Sequence, residues 1–343
     1  MIPAAPPNSG SGKALPLALT MGEPAGIGGE ISLKSWISKK SPPFFVIDDA
    51  ARLERLGNEL GLGVPVQKIQ GPAEARELFS SALPILHRPL NTKTVAGEPS
   101  PDNAQSVIDA ISIAVQLVRA DQVSAIVTNP IHKKSLYDAG FRFPGHTEFL
   151  AELAEIETPP VMMLASPELK VVPATVHVSL AEAITILNEN SIVTTAQITA
   201  HALKTDFALS APRLAIAGLN PHAGEGGGMG NDEQKIIEPA ITRLKNLGID
   251  ASGPWPPDTL FHTEARKTYD AVICMYHDQA LIPIKTIDFD GAVNITLGLP
   301  FVRTSPDHGT AFNIAGTGKA SEKSLLAALN MAANMAARRS ALN

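Results

Sequence analysis

LAIAGLNPHAGEGGGMGNDE, residues 214–233, decides how the rest of the chain is read. It opens on a short apolar run, Leu214, Ala215, Ile216, Ala217 and Leu219, with the length and character of a buried strand. Asn220-Pro221 stops that strand, because proline donates nothing to a ladder. His222 follows, and then five glycines within the seven residues 224–230. Glycine at that density permits close backbone approach and positive φ. Asn231 or Asp232 is placed to cap a helix from about Glu233 to Leu247. An imidazole at the carboxyl end of a strand, facing a glycine turn and a helix start, is the geometry of an α/β active site. A flexible surface turn with an incidental histidine is the competing reading.

Outward from this stretch, strand-like and helix-like segments alternate. Strands are expected at 15–20, 44–47, 66–69, 83–86, 125–128, 161–165, 169–178, 271–276 and 293–299. Helices are expected after the glycine-rich turn 21–30, and over 50–60, 102–120, about 146–154, 190–207 and 321–337. Residues 307–319 read as a loop with a short helix. The pattern implies an α/β fold, with two lobes over 15–343 and a cleft between them. Residues 1–14, rich in Pro, Gly and Ser, read as a disordered leader with no signal-peptide core.

Bulk properties narrow the function class. The chain has 343 residues, 44% hydrophobic and 18% charged, with a net charge of −6 and no basic block, which argues against nucleic acid. No apolar run reaches membrane-spanning length. A single cysteine, Cys274 in the run AVICM, excludes a disulfide framework and fits a reducing cytoplasm.

Three histidines end strand-like runs: His177 in ATVHVSL, His222, and His277 in MYHDQA. Separations of 45 (177 to 222) and 55 (222 to 277) residues are too long for a local metal finger. They suit ligands gathered by a folded sheet around a metal with one open position; any one of them alone is more often a hydrogen-bonded structural histidine. Asp258 and Asp278 are candidates for orienting imidazoles, or simple turn aspartates. A basic group, Lys285 and Arg303 with His146-Thr147 at a helix start, is of the kind that holds phosphate, and Asn294 can donate to the same ligand. No G-x-G-x-x-G follows a strand, so spacing alone identifies no nicotinamide site.

The chain resembles the 4-hydroxythreonine-4-phosphate dehydrogenase family of vitamin B6 biosynthesis. The resemblance runs from Leu17 to about Ala336. It rests on TMGEPAGIGGE (20–30), TNPIHK (128–133), FPGHTEF (143–149), GLNPHAGEGG (218–227), MYHDQ (275–279) and VNITLGLPFVRTSPDHGTA (293–311). It implies a divalent metal (zinc, magnesium or cobalt) held by His177, His222 and His277. It also implies substrate contacts from His146, Thr147, Lys285, Asn294 and Arg303. Asp307, His308, Gly309, Thr310 and Ala311, with Ile314-Ala315-Gly316 after them, resemble the adenosine-binding loop of the isocitrate and isopropylmalate dehydrogenases, which bind NAD or NADP without a Rossmann fingerprint. The implied fold is a two-lobed α/β/α subunit, forming a homodimer with ligands to each metal from both chains. Gly29 and Ala280 stand where the family commonly has proline and glycine; neither removes a proposed ligand.

The resemblance implies oxidation of 4-phosphooxy-L-threonine at C3, with NAD(P)⁺ accepting hydride. Loss of CO₂ then gives 3-amino-2-oxopropyl phosphate. Asp258, Lys285 or a metal-linked water is the expected proton acceptor. Paralogues acting on 4-phospho-D-threonate, 4-phospho-D-erythronate or an aromatic dihydrodiol are the nearest alternatives. The phosphate cradle argues against the dihydrodiol, and the complete histidine set argues against a non-catalytic metabolite-binding protein or a phosphoacyl transferase.

Overall fold

The computed structural model describes residues 15–342, and the leader expected over residues 1–14 lies outside the described residues. Among the described residues one sheet holds twelve strands. They are β1 (Leu17–Thr20), β2 (Phe44–Asp48), β3 (Val66–Ile69), β4 (Leu83–His87), β5 (Ile126–Thr128), β6 (Val161–Ala165), β7 (Lys170–Pro173), β8 (Arg213–Ala217), β9 (Asp250–Trp255), β10 (Ala271–Cys274), β11 (Val293–Leu297) and β12 (Arg303–Pro306). Their order is β3-β4-β2-β1-β5-β12-β11-β6-β7-β10-β8-β9.

The first six strands of that order are mutually parallel, and so are the last four. Between them β11 is antiparallel to both β12 and β6, and β6 is antiparallel to β7. The two parallel blocks therefore run in opposite directions. Strands such as Leu17–Thr20 and Phe44–Asp48 are buried throughout, as sheets covered by helices on both faces require. The α/β expectation holds.

Alternate strand residues feed different cores, because side chains alternate across a sheet. On one face a single core runs the length of the sheet, taking in Leu17, Leu19, Ile216, Ile273, Val293 and Ile295, with Leu325 and Leu329 of the closing helix Lys323–Ser340. On the other face the core is divided. One part packs Ala18, Phe45 and Ile126 against the helices Ala104–Arg119 and His146–Ala154. The other packs Val171, Val272 and Cys274 against Leu281 and Ile284 of the helix His277–Ile287. The furrow between these two parts crosses the middle strands.

Several expectations need correction. The strand expected over 169–178 ends at Pro173, and the segment beyond it becomes a helix, Leu180–Ile186. His277 opens an eleven-residue helix instead of trailing a strand; Pro283 inside it hides the helical pattern. Asp232 stands at the N-cap position but makes no cap bond; its carboxylate accepts from Asn220 Nδ2 at 2.9 Å. No helix among the described residues is long and apolar enough to cross a membrane.

Candidate active site

The furrow holds a cavity of about 440 Å³, within the range of small-molecule sites. Its lining includes Thr128 at the end of β5 and Asn129 just after it, His146 and Thr147 at a helix start, and Asn294, Arg303 and Ser305 on β11 and β12. Asp307, His308 and Gly309 close one side, and His177, His277 and Lys285 another. A larger groove of about 850 Å³ past Ile198, His201, Gly298 and Arg339 holds none of the candidate residues.

Arg303 is the centre of the basic group. Arg303 and Ser305 share one face of β12, and Asn294 lies opposite Ser305 on β11. Arg303 is 4% exposed, and its Nη1 and Nη2 donate to Thr296 Oγ1 (2.9 Å) and Thr128 Oγ1 (2.6 Å). Burial pulls its pKa down to about 10, while the charge of Glu148 opposes the fall, so it remains a cation at neutral pH. No carboxylate touches it among the described residues. A buried charge in that condition calls for an anion.

Lys285 differs: its Nζ stands 2.8 Å from Asp307 Oδ2. His277, Leu281 and Lys285 follow one another at intervals of four, so one helix face delivers all three to the cavity. His146 is held neutral by burial, reinforced by the charges of Arg303 and Lys133, which push its pKa well below 6.5. Asn129 Oδ1, His146 Nε2, Arg303 Nε and His308 Nε2 are all buried without a partner, and all four residues line this cavity. Polar atoms left open at that density are a binding site's signature.

β7, β10 and β8 lie side by side and parallel, so the segments after them carry His177, His277 and His222 from the same edge of the sheet. The structure brings only two of the three together. The rings of His177 and His277 are 5.9 Å apart between centroids and tilted by 43°. His277 Nδ1 pairs with Asp278 Oδ1 at 2.7 Å, which leaves Nε2 open and sets Asp278 where a carboxylate that orients the ring would stand. Burial, then the charges of Lys133 and His277, lower the His177 pKa, which favours the neutral, ligating form. His222 lines neither cavity that holds the other two, and no three His, Cys, Asp or Glu side chains converge on one point among the described residues. Two imidazoles are one short of the three-histidine set, so the donors present fit a metal once a third ligand joins them.

His222 sits on a turn, Pro221–Gly227, whose residues 222–226 all have left-handed backbone. His177 is left-handed too, at φ 54°. Non-glycine residues reach that region at a cost of roughly 1–2 kcal/mol each, and such strain clusters where function demands it. Asp258 is exposed on the short helix Pro257–Leu260, which packs against this turn, outside the cavity. Of the adenosine-loop residues, Asp307, His308 and Gly309 reach the cavity. Thr310 turns back onto the glycine-rich segment, its carbonyl accepting from Ile27 N at 3.1 Å, and Ala311 is left-handed at φ 45°. Sequence reasoning missed Thr128, Asn129, Lys133, Glu148 and Ser305 as lining residues. The blocks TNPIHK and FPGHTEF contain all but Ser305.

The comparisons agree with one another. The family model described as pyridoxal phosphate biosynthetic protein PdxA matches residues 39–332. The 4-hydroxythreonine-4-phosphate dehydrogenase of Bradyrhizobium diazoefficiens is 52% identical over 338 residues, covering 94% of this chain and 98% of that protein. The enzyme of the same name from Caulobacter vibrioides is 52% identical over 331 residues, with the same coverage. The crystal structure of 4-hydroxythreonine-4-phosphate dehydrogenase from Klebsiella pneumoniae superposes with a TM-score of 0.84 at 38% identity, covering 94% of this chain and 100% of that one.

Proposed function

The chain belongs to the PdxA family of pyridoxal phosphate biosynthetic proteins, the 4-hydroxythreonine-4-phosphate dehydrogenases, and on that premise we propose how its cleft carries out the reaction. It is an oxidoreductase acting on a small phosphorylated hydroxy amino acid. In our reading that substrate is 4-phosphooxy-L-threonine, oxidised at C3 by NAD⁺ or NADP⁺ and then decarboxylated to 3-amino-2-oxopropyl phosphate. The observation that carries the reading is Arg303, a buried cation without a carboxylate, ringed by unpartnered polar atoms.

Arg303 takes the phosphate, with the first turn of helix His146–Ala154 and Asn294 completing the cradle. Anchoring at that end fixes C3 relative to the acceptor, which is worth several powers of ten in rate. Asp307, His308 and Gly309, which line the cavity, would hold the dinucleotide, which when bound supplies the hydride acceptor. His177 and His277 with a third histidine would hold a zinc, magnesium or cobalt ion, which when bound supplies Lewis-acid activation of the C3 hydroxyl. Lys285, held by Asp307 against the cavity, and Asp258 are the candidates to take the hydroxyl proton.

Two chains make each site. His222 and Asp258 travel together on neighbouring segments away from this chain's cavity, and in a homodimer they serve the partner's. Exposed apolar side chains beside the histidine pair, Leu180, Ile184, Ile282 and Phe289, suit burial against a second copy. We read the two parallel blocks as the two lobes, and the compartment as the cytoplasm. The test offers 4-phosphooxy-L-threonine, 4-phospho-D-threonate and 4-phospho-D-erythronate in turn, with NAD⁺ and with NADP⁺, while following reduced-nicotinamide absorbance. The L-threonine phosphate should give the highest kcat/KM; a higher value for either D-acid would reassign the substrate.

A further inference from the structure

Five successive left-handed residues, His222 to Gly226, do not hold themselves in place. The group that holds them is Glu233, whose residue is 1% exposed. Its Oε1 accepts from the main-chain amides of Leu219 at 2.8 Å and Asn220 at 2.7 Å, and its Oε2 from Asn220 Nδ2 at 3.0 Å. The carboxylate fills the inside of the turn: a Cβ on Gly224 would come within 2.5 Å of Oε2, and one on Gly218 within 3.3 Å of Oε1. Behind the turn, Gln279 Nε2 donates to Gly218 O at 2.8 Å while Gln279 Oε1 accepts from Met275 N at 2.7 Å. The base of the turn is thereby tied to the helix that His277 opens. No cation pairs with Glu233 among the described residues, so main-chain and amide donors alone offset its removal from water.

We infer that Glu233 is a positioning residue for His222: by clamping the amides of Leu219 and Asn220 it sets the left-handed turn, and so the direction in which the imidazole is presented. This rests on reading His222 as a metal ligand. It concerns a carboxylate that touches neither substrate nor metal, some ten residues along the chain from the histidine it serves.

The test titrates demetallated dimer with Zn²⁺ against a chromogenic chelator, and with Co²⁺ while recording its visible ligand-field absorption. His222→Ala should weaken metal binding strongly. Glu233→Leu should weaken it about ten- to a hundred-fold, the usual effect of removing a ligand's support, and should alter the Co²⁺ spectrum. Glu233→Gln, which keeps an acceptor for both amides, should recover most of the affinity. In the His222→Ala background Glu233→Leu should cost nothing further, because coupled sites are non-additive. Should Glu233→Leu not fold, Gly224→Ala, which drives a methyl group into Oε2 and leaves the carboxylate present, should lower affinity in its place. Wild-type affinity in Glu233→Leu or Gly224→Ala beside a weakened His222→Ala would overturn the inference, as would a Glu233→Leu penalty of the same size in both backgrounds. Unchanged affinity in His222→Ala itself would instead remove the ligand reading, and the inference with it.

Discussion

Lys285 Nζ lies 2.8 Å from Asp307 Oδ2, so a residue that the family resemblance assigns to the substrate and one that it assigns to the dinucleotide form a single ion pair. Lys285 is about a third exposed and already has a counter-charge, whereas Arg303 is buried and has none. In the proposed site a bound phosphate would therefore place its charge mainly against Arg303. Arg303→Ala should raise KM for the phosphorylated substrate by about one to two decades, the worth of a charge-assisted contact of roughly 1.5–3 kcal/mol. Lys285→Ala should raise KM less and lower kcat more, and KM for the dinucleotide should move little with Arg303→Ala. Steady-state kinetics decides it, and a larger KM effect at Lys285 would reverse the assignment.

Chelation should abolish turnover, and added Zn²⁺, Co²⁺ or Mg²⁺ should restore it. His277→Ala should cost several orders of magnitude in kcat/KM. Asp278→Ala, removing the carboxylate 2.7 Å from His277 Nδ1, should cost about ten- to a hundred-fold in metal affinity. Full activity of exhaustively demetallated enzyme would rule the metal out.

The separation of His222 from the His177–His277 pair makes a sharper test. Mixed dimers of His222→Ala with either His177→Ala or His277→Ala should regain activity, up to about half of wild type, since two-fold symmetry leaves one intact site of two. Mixtures of His177→Ala with His277→Ala should stay dead, because each site draws both of these ligands from one chain and so lacks one of them however the chains combine. Recovery in that last mixture, with subunit exchange verified, would contradict the grouping.

His146 and His177 both have pKa values pushed below the ordinary 6.5 in the folded chain, chiefly by burial. Below that pH the unfolded chain takes up protons that the folded one refuses, so stability is full above about pH 6.5 and falls as pH drops beneath it. Urea midpoints measured from pH 7.5 to 5.5 should fall on the acid side, and less steeply in His146→Asn. Equal slopes in the two proteins would clear His146 of the effect.

What the sequence disclosed depended on how the chain hides its side chains. β1, β2, β6 and β10 are short apolar runs buried on both faces, and their composition alone marks them. β12 is Arg303-Thr304-Ser305-Pro306, equally central and equally buried, yet it reads as a loop because one face lines a polar cavity. β9 contains Gly253 and Pro254, which argue against a strand until the sheet edge is seen. The histidines were legible because each ends an apolar run. Their division into two and one was not, since it depends on a turn whose left-handed backbone no hydrophobic pattern encodes. Glu233 was read only as the start of a helix, because a buried carboxylate and an exposed one look alike in sequence.

The uninterrupted core on one face of the sheet and the broken core on the other join the two blocks differently on its two sides. On the cavity side the apolar layer is already parted between the blocks; on the other side one core spans both blocks and ties them together. The furrow thus lies where the two halves of the divided core meet no common layer, with the antiparallel strands β11 and β6 along its floor. A ligand seated in the cavity therefore displaces no shared apolar layer, and the packing of both halves is the same with the cavity filled as with it empty.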